Sequence, residues 1–122
     1  MSTDARELAA LYYAGSGRSM AADVSALSRN PRGVVVVTPR LFALMRPVCS
    51  RRPESWAERL AQDVPSADAW YVHLLAGDLR LALQLGRMLP PLPLLCFHRG
   101  KRSGRPHRYS WRRVFLQGGG AS

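Results

Sequence analysis

Acidic residues stop at Asp78 in this 122-residue sequence. Residues 79–122 hold nine Lys or Arg and no Asp or Glu, whereas residues 1–78 set nine Arg against eight acids. The formal charge of +10 is therefore +1 over the first segment and +9 over the second. Lysine is nearly missing too, with one Lys against seventeen Arg. That ratio follows from GC-rich codons, which also supply the abundant Ala, Gly, Pro and Leu. Codon usage does not explain why the acids end. With so few carboxylates, and with Asp63, Asp68 and Asp78 in separate turns, no acidic cluster of a metal-dependent nuclease can be assembled. Cysteine is scarce, limited to Cys49 and Cys96, which excludes a disulfide-stapled framework. The opening run Ser2-Thr3-Asp4-Ala5-Arg6-Glu7 is too polar for a secretory leader. These two features predict a cytoplasmic, reducing location with free thiols. Long apolar runs are absent: the longest, residues 89–97, has nine residues and three prolines. It cannot cross a bilayer. The cations form no amphipathic helix, so no membrane partner is expected.

What remains is a globular composition. With 47% hydrophobic and 21% charged residues, a chain of this length can bury a core. One α/β domain is expected over residues 1–116, followed by a disordered tail over 117–122. Asp4 and Glu7 have the spacing of a helix start, and Leu8, Leu11 and Tyr12 follow on one face, which predicts a helix over 4–14. Gly15-Ser16-Gly17 breaks it, and its Gly-rich run reads as a turn because no Gly-Lys-Ser/Thr follows. Ser19 caps a second helix with Met20, Val24 and Leu27 on one face. Four consecutive valines, 34–37, predict a strand packed on both faces in a parallel sheet. Thr38-Pro39 reads as the start of a short helix reaching Met45. A further helix is expected over 53–63, with Trp56 and Leu60 one turn apart. Residues 70–75 read as a strand buried except at His73. Residues 79–89 read as a helix capped by Asp78, whose wet stripe of Arg80, Gln84 and Arg87 is so narrow that packing on more than one side is expected. Residues 94–98 form a third strand, and residues 108–116 return as an antiparallel hairpin strand. The expected fold is thus a small mixed sheet, with parallel strands near 34–37, 70–75 and 94–98, packed by helices including two at the N-terminus.

Seven of the nine late cations fall in the hairpin region: Arg99, Lys101, Arg102, Arg105, Arg108, Arg112 and Arg113. Clustered cations without neighbouring carboxylates are the footprint of a polyanion partner. A two-stranded ribbon holds them along a backbone, and Tyr109 between Arg108 and Arg112 adds a ring on which a base can stack. Trp111 and Phe115 are expected to face the core. The pattern implies nucleic-acid binding through phosphates, with little base readout, because no recognition helix carries the cations. The alternative partner is an acidic protein surface, as for a modulator of a larger host complex. A third reading uses His98 and His107, which would face each other across a symmetric hairpin, as acid and base in metal-independent RNA cleavage. Cys96, His98 and His107 lack the spacing and the fourth ligand of a zinc site. No metal and no cofactor is expected, and binding is favoured over catalysis.

Overall fold

The computed structural model describes residues 4–51, 60–96, 107–109 and 116–117. The first helix, α1 (Ala5–Ala14), starts where Asp4 accepts from the Arg6 backbone N–H, and α2 (Met20–Ser28) starts where Ser19 accepts from that of Ala22. Each short side-chain acceptor satisfies a backbone donor that the first helical turn cannot. Both expected N-terminal helices are therefore present. They lead into β1 (Val34–Val37) and β2 (Leu41–Val48), followed by β3 (Ala69–Gly77), α3 (Leu79–Met88) and the short strands β4 (Leu94–Cys96), β5 (His107–Tyr109) and β6 (Leu116–Gln117).

The fold is α/β with a mixed sheet of order β1-β2-β3-β4-β5, and β6 pairs separately with β3. β1 and β2 are antiparallel, as are β2 and β3, while β3 and β4 are parallel. β1, β3 and β4 thus share one direction, as expected for the three strands near 34–37, 70–75 and 94–98. The surprise is β2, which lies between β1 and β3 where a helix was expected. Thr38-Pro39 starts no helix: the Thr38 backbone N–H donates to the Leu41 carbonyl at 2.9 Å, and Leu41 N–H donates to Thr38 Oγ1 at 2.9 Å, closing a tight hairpin. β2 is buried along its whole length, so it shows no alternation, and an apolar run of that kind reads equally as helix or strand. Pro47 is tolerated because it faces Trp70, whose N–H donates away from β2 to the Pro93 carbonyl. That pair exchanges no ladder bond for the proline to lose.

Helices cover both faces of the sheet. Ala5, Ala9, Tyr13 and Leu27 of α1 and α2 meet Phe42, Leu44 and Leu74 on one side. Ala82 of α3 meets Leu41, Ala43, Met45, Val72 and Leu75 on the other. Val35 packs into the first cluster and Val34 and Val36 into the second, so the valine run does touch apolar groups on both faces, but from the edge of the sheet. β3 is buried except at His73 and its last residue, Gly77. The register passes from Leu44↔Leu74 to Met45↔Val72, which leaves His73 as the extra residue of a bulge. Gly77 has φ +118°, and a Cβ there would come within 2.3 Å of the Arg40 carbonyl oxygen, so glycine is required between β3 and α3. Among α3 residues only Ala82 is fully buried, and Met88 is 81% exposed. Leu81, Leu85 and Leu89 join Ala82 against the sheet, while Arg80, Gln84, Arg87 and Met88 are exposed, as expected for the wet stripe. The helix expected over 53–63 lies mostly outside the described residues, and Leu60 and Ala61 form a turn. No helix among the described residues is long and apolar enough to cross a membrane.

Candidate nucleic-acid interface

The hairpin that spans five of the nine late cations is anchored through β4. β4 pairs with β3 at Trp70↔Leu94 and Tyr71↔Leu95. Trp70 fixes the proline-rich connector ahead of it from two atoms: its indole Nε1 donates to the Pro90 carbonyl at 3.0 Å and its backbone N–H to the Pro93 carbonyl at 2.8 Å. β5 then returns antiparallel along β4 in the register Leu94↔Tyr109, Leu95↔Arg108 and Cys96↔His107. Among the described residues β5 ends the strand order, so His107, Arg108 and Tyr109 lie on its outermost strand. The ten residues joining Cys96 to His107 include Arg99, Lys101, Arg102 and Arg105. Those four cations, together with His98, Arg112 and Arg113, lie outside the described residues. The expected strand 108–116 begins as β5, but its far end belongs to β6, where Leu116 and Gln117 run parallel to Ala76 and Gly77 of β3.

The register sets Cys96, not His98, opposite His107. Burial pushes the Cys96 thiol up to about 11, which keeps it protonated at neutral pH and makes it a poor zinc ligand. Cys49 and Cys96 are not bridged to each other, and among the described residues no group of three or more His, Cys, Asp or Glu gathers around one point.

Five of the eight N-terminal carboxylates have partners of their own. Asp4 pairs with Arg6 at 2.7 Å, Asp23 with Arg18 at 2.9 Å, Asp63 with Arg32 at 2.7 Å and Asp78 with Arg40 at 2.7 Å. Asp68 accepts from the Ser50 backbone N–H and hydroxyl, both at 2.8 Å. Hydrogen bonds from these neighbours hold Asp4, Asp68 and Asp78 below the usual carboxylate range. All five acids are engaged by residues of the first segment.

Sequence reasoning missed a polar cluster inside the helical layer. Asp23 is buried, and its carboxylate accepts from Arg18 Nε and Nη2 and from the Tyr13 hydroxyl, at 2.9, 2.9 and 3.0 Å. Burial alone would raise Asp23, but the bonds from Arg18 and Tyr13 outweigh it and hold the group below its ordinary value. Burial, then the charge of Asp23, drives Tyr13 upward. On the same sheet face Arg46 is 1% exposed opposite Tyr71, and the Tyr71 and His73 rings meet edge-on with centroids 4.6 Å apart. Arg46, Tyr71 and His73 all make further interactions. With both Asp23 oxygens occupied, the Arg18–Asp23–Tyr13 set is a clamp between α1 and α2, not an acid or a base. Its signal in the sequence is that Asp23 precedes the buried Leu27 by one helical turn.

Comparison with family models, with curated proteins and with solved structures gave no match for this chain.

Proposed function

We propose that this protein is a small basic nucleic-acid-binding accessory protein of the cytoplasm, whose β4–β5 hairpin contacts the phosphate backbone. The observation that carries the reading is the charge partition: +9 over residues 79–122 with no carboxylate among them. The local engagement of the N-terminal acids supports it, because it leaves few carboxylates to cancel that charge. The outer position of β5 supports it as well, since an edge hairpin can meet an extended polymer without rearranging the sheet. Arg99, Lys101, Arg102, Arg105, Arg108, Arg112 and Arg113 bind phosphates, and Tyr109 stacks on a base. Sequence preference is weak, because phosphate contacts position a protein without reading bases.

The test is binding of labelled RNA and DNA across a salt series. If about four phosphates are neutralised, log affinity falls with log salt at a slope of about −3 to −4. Protein purified at low salt carries material absorbing at 260 nm that nuclease removes. A flat salt response, or a stoichiometric protein complex that survives nuclease, overturns the reading. RNA cleavage in EDTA that is lost in His98→Ala or His107→Ala would replace it with a ribonuclease.

A further inference from the structure

The edge of the sheet remote from the hairpin carries a second surface. β1 begins the strand order, so among the described residues no strand lies beyond it. The hairpin turn sets the phase of its bonds. Thr38 bonds Leu41, and bonded pairs alternate along an antiparallel ladder. Val36↔Ala43 and Val34↔Met45 are therefore the bonded pairs, while Val35↔Leu44 and Val37↔Phe42 are the open ones. Val35 and Val37 thus direct both their N–H and C=O groups outward. Three of the four groups at the next outward positions are already accounted for. Gly33 N–H donates to the Asn30 carbonyl at 3.1 Å, Pro39 has no N–H, and the Pro39 carbonyl accepts from Ala5 N–H at 2.7 Å. Among the described residues, two residues placed symmetrically about Val36 thus keep both backbone groups outward on this edge.

Natural edge strands are protected by charge, proline or a bulge. The four residues of β1 contain none of these. We propose that β1 is the contact of a symmetric homodimer, in which β1 of a second copy lies antiparallel with Val36 opposite Val36. That alignment sets Val35 opposite Val37 twice, so four backbone hydrogen bonds form and the outward groups of both residues are used in each copy. Val37, 45% exposed in the single chain, gains a valine neighbour, and β-branched pairs of this kind are favourable. The same alignment brings Arg32 opposite Arg40. Each arrives neutralised, Arg32 by Asp63 and Arg40 by Asp78, so the ends meet as compensated pairs and not as bare cations. For a chain of charge +10 this matters, because the copies join at the opposite edge from the basic hairpin. Two copies fit this edge better than a polyanion does.

A four-residue contact buries far less than the ~1,600 Å² of a standard interface, so the dimer is concentration-dependent. Sedimentation from about 10 µM to about 1 mM, the range of a weak complex, shows mass rising from one chain to two. Hydrogen exchange over the same range shows the Val35 and Val37 amides slowing by at least about tenfold, while Val34 and Val36 stay equally protected throughout. Val37→Pro removes one outward donor and no β1–β2 bond, and Val37→Lys places a cation on the edge. Both remain folded by circular dichroism and monomeric at the highest concentration. If Val37→Pro unfolds, Val37→Lys decides. A single-chain mass throughout, a dimer undiminished in Val37→Lys, or a dimer that leaves the Val35 and Val37 amides fast overturns the proposal.

Discussion

Asp23 keeps its charge in a buried position because three donors hold it. Bonds to a charged acceptor contribute about 1.5–3 kcal/mol each when partly buried. Arg18→Ala removes two of the three and leaves the carboxylate short of partners, so unfolding experiments at neutral pH should show a loss of about 2–3 kcal/mol. The pH dependence has a defined sign. The folded value of Asp23 is lowered, so its contribution is fully present above the unfolded value of about 3.9 and is lost as pH falls through the lowered folded value. Denaturation midpoints of wild type and Asp23→Asn, measured from neutral to acid pH, should differ by a constant amount down to about pH 4 and then converge. A gap that stays constant into strong acid would show that Asp23 is held by shape and not by charge.

α3 offers a direct test of how the layers pack. Ala82 is its one fully buried residue and Met88 its most exposed large side chain. A helix lying on the sheet by one narrow face should lose about 1–3 kcal/mol in Ala82→Leu, where there is no room for three more carbons. Met88→Lys should change stability by no more than about 0.5 kcal/mol. Thermal melts of the two variants check both; a large loss in Met88→Lys would mean that the outer face of α3 is covered after all. The same comparison explains what could be read in the sequence. α1, α2 and α3 were legible because Asp4, Ser19 and Asp78 are local caps, which act within three residues. β3 was legible because a single less-buried His73 interrupts an apolar run. β2 was not, because burial on both faces erases the period that separates strand from helix, and because Thr38-Pro39 serves a helix start and a hairpin turn equally well. Leu79, Leu81, Leu83 and Leu85 are only partly buried, and leucine identity does not report how much of each is covered. The Arg18–Asp23–Tyr13 clamp was hidden because it joins two helices, and nothing in a linear pattern states which helices meet.

Across the whole chain, uncompensated charge carries a cost to folding. Nine cations in residues 79–122 repel one another in the folded state, and self-repulsion of this kind lowers stability. Cations retained against that cost must be distinguishable from cations that hold the fold. Removing a structural arginine, such as Arg18, lowers stability. Removing a hairpin cation that faces phosphate should leave stability unchanged or raised, while weakening binding. Arg102→Gln with Arg105→Gln is the informative pair, because both lie between β4 and β5 in sequence. Each lost phosphate contact should flatten the salt dependence by about 0.9, so the double variant should bind with a slope reduced by about 1.8 if both contact phosphate. Measured together, a flatter slope with an unchanged or higher melting temperature identifies these residues as an interface. A lower melting temperature with an unchanged slope identifies them as structural, and the polyanion reading then loses the part of the chain it depends on most.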